Sequence, residues 1–300
     1  MTVAPEFLVI GAARAGTTAL YTFLRQHPQI FMPRVKEPNF FAFADEHLDC
    51  RGPGADFINN SVTSADAYRA LFAAAPEGTI RGEASPLYLF APAAPGNIRR
   101  LAPQAKMIAI LRNPVEQAWS HFMYATKLRI EDESDFVRAL ALEEGRLAAG
   151  WQPLFGYSRF PRYGEQLSRY FALFPRDQFL IRTYEDYQAD PGHLLSEIFA
   201  FIGADPAFRP DTGAVVNAGG VPKSRIFQDF LMKSNPLTRA VGLIVPQPAR
   251  LRIRDWLAGF NMRREETMPP AARRILLERL SDDIRLAGRL IGRDLSAWLR

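Results

Sequence analysis

The stretch FLVIGAARAGTTALYTFL, residues 7–24, decides the fold. Its apolar run from Phe7 to Ile10 reads as a strand buried on both faces. The run ends at Gly11, a loop of small residues follows, and a helical pattern opens at Thr17 or Thr18. A strand that passes through a glycine loop into a helix gathers free backbone N–H groups and the positive end of the helix dipole, which makes a cradle for phosphate. The spacing Gly11-x-x-x-x-Gly16 matches the first half of a nucleotide P-loop. The second half is missing, because Thr17 stands where an NTPase carries the lysine for the β- and γ-phosphates. The only basic group in the loop is Arg14. The loop is therefore expected to hold a phosphate without the equipment for a triphosphate and magnesium. The plainer alternative is a tight strand–helix turn with no ligand. A dinucleotide site is disfavoured, since Gly-x-Gly-x-x-Gly is absent.

Outward from this loop, short apolar runs alternate with amphipathic stretches. Strands are expected at 6–11, 79–83, 106–111 and 178–183. Helices are expected at 17–27, 64–74, 114–128, 135–148, 161–174, 191–202, 224–233, 248–259 and 270–291. Ser64, Ser134 and Asp190 stand where an N-cap belongs, and Pro114 and Pro191 suit a first helical turn. Such alternation predicts an α/β fold with three layers, a central mostly parallel sheet flanked by helices, and a helical C-terminal part. With no repeat or low-complexity linker, residues 1–300 read as a single domain.

Composition narrows the classes. The chain has 300 residues, 48% of them hydrophobic and 23% charged, as in globular proteins and unlike long disorder. A single cysteine, Cys50, excludes an internal disulfide, and with only four histidines a structural zinc site is not expected. No uncharged apolar run approaches the roughly 18–20 residues of a membrane span. Glu6 precedes the first short apolar run, so no signal peptide is read there and an intracellular, cytoplasmic protein is expected. The formal charge is +5, and 32 of the 37 basic residues are arginine, the side chain that grips phosphate or carboxylate with a planar fork. Residues 221–300 hold 16 Lys and Arg against 8 Asp and Glu, so the excess is C-terminal.

Five stretches carry a resemblance. GAARAGTTAL (11–20) resembles the 5′-phosphosulfate loop of sulfotransferases that use 3′-phosphoadenosine 5′-phosphosulfate (PAPS). KMIAILRNPVEQAWSHF (106–122) resembles the family's strand–turn–helix for the nucleotide 3′-phosphate, which falls here to Arg112 and Ser120. RVKEPNFFAF (34–43) resembles the Lys-Glu-x-x-Phe-Phe segment of heparan sulfate and related carbohydrate sulfotransferases. There the glutamate acts as base, which implies that role for Glu37, with Lys36 beside it. Relatives often have a histidine two places on and an acid after the two phenylalanines; this chain has Asn39 and Ala42. GEASPLYLF (82–90) resembles a segment lining the acceptor cleft, which implies Glu83 and Ser85 as acceptor contacts, with Glu83 or His121 as reserve bases. Tyr163 falls where an aromatic often touches the nucleotide. VVNAGGVPKSRIF (215–227) resembles the segment that closes over the nucleotide, implying Lys223, Ser224 and Arg225.

The resemblance implies a bacterial PAPS-dependent sulfotransferase, with 3′,5′-bisphosphoadenosine (PAP) as product. The backbone around Ala15, Gly16, Thr17 and Thr18 would hold the 5′-phosphate, and Arg14 would neutralise charge on the leaving group. Arginine is always charged, so this is charge stabilisation rather than acid catalysis. No metal is expected. The implied acceptor is a hydroxyl, less readily an amine, of a saccharide, glycolipid or other small molecule. Two other readings stay open. One is a P-loop kinase of a small hydroxylated substrate. The other is a basic module for membrane or nucleic acid, built on the helical segment 223–268, which also allows the enzyme a peripheral contact at the inner membrane face. No nucleic-acid motif is present, and the oligomeric state is not readable.

Overall fold

Five parallel strands form the centre of the molecule in the order β2-β3-β1-β4-β5. They are β1 (Phe7–Gly11), β2 (Ile30–Phe31), β3 (Ile80–Ala84), β4 (Lys106–Leu111) and β5 (Phe179–Thr183). The computed structural model describes residues 5–211, 221–222, 262–263 and 267–300. All five residues of β1 are buried, as its unbroken apolar run requires of a central strand covered on both faces. Gly82 of β3 lies opposite Phe7 in register, and a Cβ there would sit 2.2 Å from the Phe7 ring. The glycine lets the ring lie flat on the neighbouring strand.

Helices fill both faces. Among the described residues they are, in chain order, α1 (Thr17–Leu24), α2 (Asp56–Asn59), α3 (Ala65–Ala70), α4 (Leu87–Phe90), α5 (Ala94–Leu101), α6 (Pro114–Lys127), α7 (Phe136–Ala148), α8 (Tyr163–Phe171), α9 (Tyr184–Ala189), α10 (Pro191–Ile202) and α11 (Pro270–Ile291). The architecture is the expected α/β one, with a P-loop-like sheet. Among the described residues no helix is long and apolar enough to cross a membrane.

Caps mark several boundaries. The Ser64 hydroxyl accepts from Ala67 N–H, and the Asp190 carboxylate accepts from His193 N–H. The cap of α7 is Asp135, which accepts from Val137 N–H, rather than the expected Ser134. Its carboxylate is the stronger acceptor for orphan N–H groups at a helix start. Two of the missed elements are short: β2 has two residues and α4 four, too few for a periodic pattern. The expected helices at 224–233 and 248–259 lie outside the described residues. Val221–Pro222 and Met262–Arg263 on either side pair antiparallel as β6 and β7.

Candidate active site

The site forms where β1 and β4 end side by side. Register between them slips by one residue from Val9 to Gly11, and Ala12 N–H donates to Ile110 O at 2.8 Å. The loop then turns through two left-handed residues, Arg14 (φ 64°) and Gly16 (φ 86°). Gly16 is the N-cap of α1 and no side chain caps that helix, so its first N–H groups stay available. A side chain at Gly16 would be strained by the backbone and would lie 3.6 Å from the Tyr184 ring. The loop thus leaves a bare helix start beneath Tyr184 and Tyr187.

Cations converge on this start from two elements. Arg112 follows β4 and its Nη1 donates to Arg14 O at 3.1 Å, with its guanidinium 5.2 Å from the Tyr184 ring centre. Asn113 accepts from Val115 N–H at 3.0 Å, and Pro114 follows as the first residue of α6. This cap aims the Ser120 face of α6 at the loop. Arg14 Nε donates to Ser120 Oγ at 3.3 Å, and the Arg14 guanidinium lies 4.2 Å from the Tyr124 ring centre. Protein packed around Arg14 pushes its pKa below the ordinary arginine value, and the Arg112 charge pushes the same way. Both effects favour an anion between the two arginines.

Two residues at this site carry no family motif. Tyr124 and Lys127 fall four and seven places after Ser120, on one face of α6. Lys127 is half-buried, and its pKa is lowered by that burial and by the charge of Arg14. The i, i+4, i+7 spacing from Ser120 was the available signal for both.

The carboxylates lie across the cleft. Glu37 is half-exposed, paired with Lys36, and its charge acts on Arg14. Its backbone is left-handed (φ 60°), and its N–H donates to Ala84 O at 3.1 Å. Glu83 and Ser85, expected to line the acceptor cleft, are both fully buried beneath this loop. Ser85 Oγ donates to Glu83 Oε2 at 2.8 Å, and Tyr68 donates to Oε1 at 3.4 Å. The reason is the geometry of β3, which turns Glu83 inward toward the aromatic residues of α3 and α4. Burial raises the Glu83 carboxyl to about 7, with the hydroxyl hydrogen bonds opposing and the Glu37 charge adding to the rise.

His121 and Tyr163 also face inward. His121 packs edge-on against Phe160, with ring centres 4.9 Å apart, and its Nδ1 is buried without a partner. Burial and the Arg14 charge lower its pKa to about 3, so the ring is neutral and faces the core. Tyr163 is fully buried, 6.5 Å from Trp298 between ring centres. Its hydroxyl is pushed up in pKa, chiefly by burial, and is buried without a hydrogen-bond partner. Tyr163 therefore lies in the core rather than lining the surface. Lys223, Ser224 and Arg225 lie outside the described residues.

Known proteins resemble this chain in sequence and in fold. The family model described as "Sulfotransferase family" matches residues 5–208. Heparan sulfate glucosamine 3-O-sulfotransferase 6 of Mus musculus is 29% identical over 201 residues, covering 66% of this chain and 52% of its own length. The chain thus spans about half the length of that curated relative. A sulfotransferase from Alicyclobacillus acidocaldarius has a solved structure that is 30% identical, with a TM-score of 0.76 over 99% of this chain and 100% of that one. A mouse sulfotransferase complexed with PAP shares the fold at 15% identity, with a TM-score of 0.51 over 96% of this chain and 88% of that one.

Proposed function

The chain belongs to the sulfotransferase family, and from that premise we propose that it moves a sulfuryl group from PAPS to a hydroxyl of a saccharide or glycolipid acceptor. The observation that carries the reading is the meeting of Arg14 and Arg112 at the uncapped start of α1. That constellation suits a nucleotide with phosphates at two positions. The residues that fit it are a bare helix start, a left-handed glycine and two guanidiniums.

The N–H groups of Gly16, Thr17 and Thr18, next to Ala15, bind the 5′-phosphate. Arg112 and Ser120 bind the 3′-phosphate. The acceptor oxygen attacks sulfur in line as Glu37 takes its proton. The new O–S bond forms as the bond from sulfur to the bridging oxygen breaks. The electron pair stays on the phosphate of departing PAP, where Arg14 and the α1 dipole stabilise it. Preorganised charge and positioning supply most of the acceleration in such transfers. A saccharide acceptor is supported by the Lys-Glu-x-x-Phe-Phe segment and by the heparan sulfate relative.

The test incubates the protein with [35S]PAPS and the polysaccharide and glycolipid fractions of its source cells. Label is expected in one of those fractions. Glu37→Gln is expected to keep PAP binding and lower turnover by about 10²–10⁴, the usual share of a general base. Label in neither fraction removes the acceptor class, and full turnover in the variant removes Glu37 as base.

A further inference from the structure

Residues 36–41 form a strap that carries Glu37, and its backbone has an unusual shape. Glu37 and Asn39, neither of them glycine, both lie in the left-handed region, at φ 60° and 56°. Such positions persist only where the surroundings over-determine them. Three contacts to the corner between β3 and α4 do so. Glu37 N–H donates to Ala84 O at 3.1 Å, Asn39 N–H to Ser85 Oγ at 3.1 Å, and Phe41 N–H to the Tyr88 hydroxyl oxygen at 3.4 Å. Two of these three acceptors are hydroxyls, whose lone pairs point wherever their protons do not. Ser85 sends its proton to Glu83 Oε2 at 2.8 Å, and the Tyr88 hydroxyl acts on the same carboxyl. The buried carboxylate thereby sets the direction of the Ser85 acceptor.

Packing gives no reason for a carboxylate at this place. Glu83 is fully buried, and among the described residues no cation is paired with it. An unpaired buried carboxylate is costly, and glutamine of nearly the same shape avoids the charge.

We propose that Glu83 is a positioning residue for Glu37. Its carboxylate directs the Ser85 hydroxyl so that it receives the Asn39 amide and holds the strap in its left-handed shape opposite Arg14. The inference rests on the proposed role of Glu37 as base. Protonation of Glu83 turns an acceptor into a donor, so one hydroxyl must turn away and the strap loses an anchor. The groups that face Glu83 are Tyr68 from α3, Tyr88 from α4, Tyr170 from α8 and Glu37 from the strap itself. The three tyrosines are pushed up by burial and stay neutral near pH 7. Glu83 is therefore the member of this network that titrates near neutrality.

Amide hydrogen exchange in the full chain tests this without any acceptor. Glu83→Gln and Ser85→Ala are expected to speed exchange at Glu37, Asn39 and Phe41 at least tenfold relative to β1 and β4. In the wild type, protection of the same amides is expected to fall below pH 7, after correction for intrinsic exchange, and Glu83→Gln is expected to lose that dependence. With [35S]PAPS, kcat is expected to drop by about 10–100-fold, the scale of an ångström misplacement, while the KM for PAPS holds. Unchanged strap exchange in Glu83→Gln and Ser85→Ala, or a pH dependence that survives in Glu83→Gln, overturns the proposal. A strap that loosens as expected in a chain that transfers no sulfuryl group keeps the positioning role and sinks the sulfuryl-transfer reading instead.

Discussion

At Glu83 two demands pull in opposite directions. Burial lifts its carboxyl from 4.5 to about 7 even though the Ser85 and Tyr68 hydroxyls donate to it. Between those two pH values the folded chain keeps a proton that the unfolded chain has released. Stability therefore falls as pH rises through that window, by about 3 kcal/mol for a fully buried group with this shift. The ionised form that orders the strap is thus the less stable one, as happens where strain is stored at a working site. In urea unfolding at pH 5 and at pH 8, the wild type should lose more stability between the two than Glu83→Gln does. The expected difference is about 3 kcal/mol, and parallel losses would mean that Glu83 does not titrate in this range. The sequence carried part of the site at this scale. Arg14, Arg112 and Ser120 were legible because each is tied to a local motif of a few residues. The contact from Asn39 to Ser85 spans 46 positions and left no such trace.

Elements followed the sequence wherever one element settles its own boundary. The strands β1 and β4 are apolar runs whose burial needs no partner to be read, and Asn113-Pro114 starts α6 by itself. The start of α8 is different, because no side chain within its own first turn caps it. Asp283 of α11 does so from across the interface, accepting from Gly164 N–H at 2.9 Å and Glu165 N–H at 2.8 Å. Gly164 permits this approach, since a Cβ there would lie 2.6 Å from Asp283 O. A cap supplied from 119 positions away has no sequence signature, and it fixes the helix whose first residue is the buried Tyr163. Asp283→Ala should cost about 1–2 kcal/mol, the range for a lost N-cap, read as a lower urea midpoint at unchanged slope. An unchanged midpoint would show that water caps α8 equally well.

Across the whole molecule, charge is divided by use. The first 220 residues hold 21 Lys and Arg against 24 Asp and Glu, yet the anion site lies among them. Many arginines there are committed to carboxylates, as in Arg146–Glu131 at 2.7 Å and Arg182–Glu197 at 3.0 Å. Among the described residues neither Arg14 nor Arg112 makes such a pair. Net charge therefore says little about where an anion binds, and unpaired arginine says more. A ligand that joins both arginines should stabilise the entire fold, since it binds only the folded chain. PAP at about 100 times its Kd contributes about 2.7 kcal/mol. For a chain of this size that raises Tm by about 4 °C. Adenosine 5′-monophosphate at the same concentration lacks the 3′-phosphate and should raise it much less. Arg112→Ala should bring the PAP shift down to that of the monophosphate while leaving the monophosphate shift in place. Equal shifts for the two nucleotides in the wild type would remove the 3′-phosphate from the Arg112 site, and with it the argument for a bisphosphorylated donor.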